Sequence, residues 1–131
     1  MLEIHPFEHF VPQGAATLFI GTFPPVIQSR YFKFYYPNNS MNRFWIIMEY
    51  IFNCKFKYWK GDEAIKERKK LLEKKHIAVT DMIEKCIRIN GNSSDKNLDK
   101  IEFRNIYKLL KNNSAIRKVI LTSRTDGNSE E

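Results

Sequence analysis

The sequence predicts an α/β fold, a three-layer sandwich with a short parallel central sheet flanked by helices. Three observations carry the expectation. Three short apolar runs, Ala16-Thr-Leu-Phe-Ile20, His76-Ile-Ala-Val-Thr80 and Arg117-Lys-Val-Ile-Leu-Thr122, read as strands, the first buried on both faces and the second buried. Helix-periodic segments lie between them, and this alternation argues for parallel strands with helices on both faces of the sheet. Each run also ends in a polar or turn-forming residue, and the carboxyl ends of such strands are where ligands bind.

Residues 1–15 read as an irregular lead-in broken by Pro6, Pro12 and Gly14. Gly21 closes the first strand. A long loop, Thr22 to Asn39, follows, and its prolines Pro24, Pro25 and Pro37 forbid regular helix. Ser40 can cap a helix opening near Met41, in which Phe44, Ile47, Met48, Ile51 and Phe52 make one core-facing stripe. A second helix starts at Gly61-Asp62 with Asp62 as cap, runs to about Lys75, and shows Ile65, Leu71 and Leu72 as its anchors. Beyond the second strand, residues 82–98 are mixed, with a turn at Asn90-Gly91. Asp99-x-x-Glu102 resembles a capping box ahead of a third helix striped by Phe103, Ile106, Tyr107 and Leu110. The tail from Arg124 to Glu131 is polar.

A chain of 131 residues is one domain by length and is large enough to bury a core. No apolar run reaches the roughly 20 residues a membrane span needs, and no signal pattern opens the chain, so the expected location is cytoplasmic. The Asn-x-Ser sequons at Asn38, Asn92 and Asn112 then read as loops. Cys54 and Cys86 stand apart, and neither they nor His5, His9 and His76 have metal-ligand spacing. The net charge is +7, and residues 55–75 hold nine basic and four acidic side chains against three of each in residues 1–54. That local excess suits a polyanion or a solvated helix face equally.

The stretch from Gly21 to Trp45 is the richest in chemistry. A Gly/Pro turn is followed by a loop carrying Phe34, Tyr35 and Tyr36, and then Asn42-Arg-Phe-Trp45 opens an apolar helix. Aromatics in such a loop either fold onto the domain or stack on a flat ligand such as a base. The three strand ends, Gly21–Pro25, Thr80-Asp81 and Thr122-Ser123-Arg124, form a candidate site in their own right.

On these residues the chain resembles the uracil-DNA glycosylase superfamily, nearest to its mismatch-specific and hypoxanthine-DNA glycosylase branches. The resemblance rests on Gly21-Thr-Phe-Pro-Pro25, Tyr35-Tyr36, Asn42-Arg-Phe-Trp45, Ala78-Val-Thr-Asp81 through Cys86, and Val119-Ile-Leu-Thr-Ser123. It implies a base-excision enzyme that hydrolyses the N-glycosidic bond of a deaminated base (uracil, hypoxanthine or mismatched thymine) flipped from DNA. It also implies DNA as partner, a monomer, and no metal or cofactor. Gly21, Thr22, Phe23 and Pro24 would surround base and water, Phe34, Tyr35 or Tyr36 would stack on the base, and Ser123 would line the site. Asn42 and Asp81 are the candidate catalytic groups, one as an amide orienting water or base, the other as a strand-end carboxylate polarising water. Arg30, Lys33, Arg43 and Arg124 would meet phosphates.

The sequence departs from that pattern in three places. Phe23 stands where mismatch-type enzymes carry a water-activating Asn, which the hypoxanthine-type branch also lacks. Pro25 replaces a second Gly and removes an amide donor. The second motif of the family, a loop after a fourth strand that enters the minor groove, has no match after Thr122. The expectation is therefore a single glycosylase-like domain over 1–131, incomplete at its C-terminus. Two further functions stay open, a catalytically inactive nucleic-acid-binding domain on the same fold and a hydrolase of free nucleosides. Each chosen residue also has a structural reading: Asn42 and Asp81 as caps, and Phe44, Trp45 and Phe52 as core.

Overall fold

A computed structural model of the protein describes residues 2–24, 33–37, 43–89 and 98–122. In chain order the elements are β1 (Leu2–Ile4), β2 (Thr17–Gly21), α1 (Phe44–Phe52), α2 (Gly61–Lys75), β3 (Ile77–Asp81), β4 (Ile83–Arg88), β5 (Leu98–Phe103), α3 (Ile106–Asn112) and β6 (Lys118–Leu121).

The three expected strands form one parallel sheet in the order β3-β2-β6. Its register pairs Thr17 with Ile77 and Lys118, and Ile20 with Thr80 and Leu121. Successive β2 side chains point to opposite faces, and each face meets different helices. Phe19, with Ile77 and Val79 of β3, packs among Phe44, Trp45 and Met48 of α1 and Ala64 and Leu72 of α2. Leu18 and Ile20, with Ala78, pack against Leu109, Ile106 and Leu110 of α3. Helices thus cover both faces, and β3 is buried along its whole length. Truncating a core residue such as Leu18 to Ala should cost about 2–5 kcal/mol.

A second sheet was not foreseen. β1, β4 and β5 form an antiparallel sheet in the order β1-β4-β5, so the lead-in is partly a strand and residues 83–88 extend β3 into a new ladder. Asp99-x-x-Glu102 is not a capping box: it lies inside β5, and Asn105 caps α3 by accepting from Lys108 N at 2.9 Å. Phe103 accordingly belongs to β5, and Leu109 is the buried residue of α3. Sheet pairing with β4 overrode the local capping pattern.

Two helix details also differ. α1 buries Phe44, Trp45 and Met48 and exposes Ile47 and Ile51. Trp45 sets this phase: its indole Nε1 donates to Tyr35 O at 3.1 Å, which turns Trp45 inward and rolls Ile47 and Ile51 out. α2 has Lys60 at its N-cap position without a side-chain cap, and Asp62 lies in the first turn, where its charge complements the helix dipole. Ser40 and the Asn90-Gly91 turn lie outside the described residues. Among the described residues no helix is long and apolar enough to cross a membrane.

Candidate functional site at the strand ends

The carboxyl ends of the parallel strands converge on Gly21. A Cβ placed there would stand 2.5 Å from Asp81 Oδ1, 3.2 Å from the Tyr36 ring and 3.4 Å from Thr122 Oγ1. Glycine at this position is what lets the Asp81 carboxylate approach the end of β2. The backbone continues the link, since Met82 N donates to Gly21 O at 2.8 Å and Ile83 N donates to Thr22 O at 3.1 Å. The Thr122 hydroxyl donates to Ile20 O at 3.2 Å and lies 3.4 Å from the Tyr36 hydroxyl.

Asp81 is held from the N-terminal segment. Phe7 N donates to His5 Nδ1 at 3.0 Å, so the ring proton of His5 sits on Nε2 and is donated to Asp81 Oδ2 at 2.7 Å. The His5 side chain is wholly buried and that of Asp81 is 9% exposed. Beside them, a 2.6 Å hydrogen bond joins His9 Nδ1 to the Thr80 hydroxyl. Burial, followed by the charge of Arg104, holds His9 below the usual histidine range.

Arg104, between β5 and α3, ties these parts together. Its Nε donates to Glu84 Oε1 at 2.9 Å, and its Nη1 donates to the Tyr35 hydroxyl at 2.7 Å and to Thr80 Oγ1 at 3.1 Å. Its Nη2 donates to Phe7 O. The Tyr35 hydroxyl in turn donates to Glu8 O at 2.8 Å. Burial pushes the Tyr35 phenol up to about 12, and the nearby Arg104 only partly offsets it. Burial also raises the Tyr36 phenol.

The turn residues fall beside this network. Phe23 is half-buried, with its ring edge-on to His5 at 5.5 Å and the Arg88 guanidinium 5.2 Å from its centroid. Arg88 also binds Pro24 O and Glu3, so it pins the Gly/Pro turn to β1 and β4. Thr22 is half-buried and Pro24 is buried.

The loop aromatics fold inward. Phe34 is 4% exposed, edge-on to Phe10 and stacked with Trp45, and Tyr35 is 2% exposed. Neither has a ring face open to a base. Tyr36 stacks on Phe44 with centroids 3.8 Å apart, and its edge lies at Gly21. Lys33 and Arg43 are exposed on either side of this aromatic segment. Asn42, Ser123, Arg30 and Arg124 lie outside the described residues.

Of the basic excess of residues 55–75, Lys74 and Lys75 lie in the last turn of α2, which leads into β3 through His76, and Lys60 sits at the N-cap position of that helix. Among the described residues no group of three or more His, Cys, Asp or Glu side chains could hold a metal ion.

Sequence reasoning missed His5, His9 and Arg104. His5 and Asp81 are 76 positions apart, so no local spacing joins them. The available signal was a His-x-x-x-His pair in a segment with few charges, and it reads as neither a metal site nor a helix face.

Comparison of the chain with protein families, with curated proteins and with solved structures finds no match in any of the three.

Proposed function

We propose that the protein is a DNA base-excision glycosylase acting on a deaminated base, with the strand-end cluster as its active site. The observation that carries this is the convergence of three parallel strand ends on Gly21, which sets the Asp81 carboxylate beside the Gly/Pro turn. Hydrolysis of an N-glycosidic bond asks little more of the protein than a held base, a directed water and stabilised charge. Asp81 accepts a proton from the attacking water as its oxygen bonds to the sugar anomeric carbon. The bond from that carbon to the base nitrogen breaks, the electron pair leaves with the base, and the base takes a proton from solvent. Phe23, the half-buried aromatic of the turn, takes the base-contacting role that the sequence shared among Phe34, Tyr35 and Tyr36, supported by its place just past the end of β2. Exposed Lys33 and Arg43 are the described cations available for phosphates. Asn42 is the second catalytic candidate, carried by its place in Asn42-Arg-Phe-Trp45.

DNA binding without catalysis is the second reading. It is favoured by one observation: Phe34 and Tyr35 are fully committed to the core.

The test is base release from labelled duplexes carrying uracil, hypoxanthine or mismatched thymine, with alkaline cleavage of the abasic product. Wild type should generate abasic sites, and Asp81→Asn should lower the single-turnover rate by about 10²–10⁴-fold, the range of a lost general base. Salt-sensitive DNA binding with no base release would establish the binding module instead.

A further inference from the structure

We infer that His5 is a positioning residue for the excision chemistry, acting through Asp81. The inference rests on the glycosylase reading above and adds a residue to it.

Four observations support the role. The imidazole is locked at both nitrogens: Phe7 N donates to Nδ1 at 3.0 Å, and Nε2 donates to Asp81 Oδ2 at 2.7 Å. Its ring is walled by Phe7, Phe23 and Tyr35, with centroids 5.4–5.6 Å away. Its backbone is fixed as well, since His5 N donates to Glu84 O at 2.8 Å. The side chain is wholly buried, so His5 reaches a substrate only through another group.

The consequence falls on the carboxylate. With Oδ2 hydrogen-bonded to His5, rotation of the Asp81 side chain is restrained, and Oδ1 is the oxygen facing Gly21. One lone-pair direction is thereby fixed at the strand ends before substrate arrives. An oriented base is worth far more than a freely turning one, because a displacement of about 1 Å can reduce a rate by about 10²-fold. The β1 segment therefore does more than pair with β4: it delivers the group that aims Asp81.

The test compares His5→Leu, which removes the donor and keeps much of the bulk, with His5→Gln, whose amide nitrogen can stand where Nε2 stands. Single-turnover base release and substrate binding are measured for both beside wild type, with melting temperatures. Nitrogen-15 NMR of the wild-type imidazole reads the tautomer. The expected result is an Nε2-protonated ring and a rate about 10²-fold lower in His5→Leu with binding unchanged. His5→Gln should recover at least tenfold of that loss. Equal rates in wild type and a folded His5→Leu would overturn the role and leave the glycosylase reading standing. If His5→Leu does not fold, equal losses of rate and binding in folded His5→Gln, or an Nδ1-protonated wild-type ring, would overturn it. Absence of base release by wild type itself would remove the glycosylase reading and this role with it.

Discussion

Arg104 and Arg68, two of the described arginines whose side chains are buried, are held in opposite ways. Arg104 sits at the strand ends, where its donors reach Glu84, Tyr35, Thr80 and Phe7 O, from three separate stretches of chain. Arg68, on α2, is enclosed by rings: its guanidinium carbon lies 4.0 Å from the Phe56 centroid, 4.7 Å from Trp59 and 5.7 Å from Trp45. Its hydrogen bonds to Tyr58 O and Ala64 O are local, within ten residues. Burial brings Arg68 down to about 10, with Glu67 the main opposing charge. Directional bonds from distant segments fix positions, whereas stacked rings supply area and cation–π attraction with loose geometry. The strand-end region is therefore built to hold atoms in place, and the α1–α2 side is built to hold the domain together.

The largest effect that could break this comparison comes from the arginines themselves. Arg104→Ala strands the Glu84 carboxylate and the buried Tyr35 and Thr80 hydroxyls, and should cost about 3–5 kcal/mol. Arg68→Met keeps an unbranched apolar stem against three rings and should cost about 1 kcal/mol or less, because apolar replacements of buried charges are often nearly neutral. Denaturant unfolding of the two variants checks the difference, and equal losses would erase the distinction between the regions.

Next in size is the alkaline response. The folded Tyr35 phenol is raised to about 12 from an unfolded value of 10.0, so the neutral form is favoured in the fold. Its contribution is intact below pH 10 and is lost as the pH rises from 10 toward 12, because the unfolded chain ionises first. The loss across that window is about 3 kcal/mol at most. Tyr35→Phe should flatten that part of the stability–pH curve while lowering stability at neutral pH. An unchanged slope would mean that Tyr35 is not the buried phenol responsible.

A smaller effect sharpens the comparison at one atom. Gly21→Ala would bring a methyl to within 2.5 Å of Asp81 Oδ1. Because His5 holds the other carboxylate oxygen, turning Asp81 to relieve the strain costs that hydrogen bond, and about 1–3 kcal/mol is expected. In a His5→Leu background the carboxylate can swing aside, so the same substitution should cost less. Additive losses in that double-mutant cycle would indicate that His5 does not restrain Asp81.

The comparison also explains what the sequence could reveal. The parallel strands were legible to within a residue, because Ala16–Ile20, His76–Thr80 and Arg117–Thr122 are continuous apolar runs with turn signals. Asp81 and Gly21 were legible as strand-end residues for the same reason. The antiparallel sheet was not, because Leu2–Ile4 is too short to signal a strand and Leu98–Phe103 breaks apolar alternation at Asp99-Lys100 and reads as a capping box. The inward turn of Phe34 and Tyr35 was open in the sequence and was decided by tertiary partners, Phe10 and Trp45 for one ring and Arg104 and Glu8 for the other. His5 and Arg104 were hidden because their roles exist only after four chain segments meet.

The most direct measurement is single-turnover release of base from uracil, hypoxanthine and mismatched-thymine duplexes by three proteins: wild type, Asp81→Asn and Arg68→Met. Abasic sites formed by wild type and Arg68→Met at similar rates, with the rate of Asp81→Asn reduced about 10²-fold or more, are the predicted result. Equal release by wild type and Asp81→Asn, or none by wild type on any of the three duplexes, would contradict the assignment of the strand ends as a base-excision site.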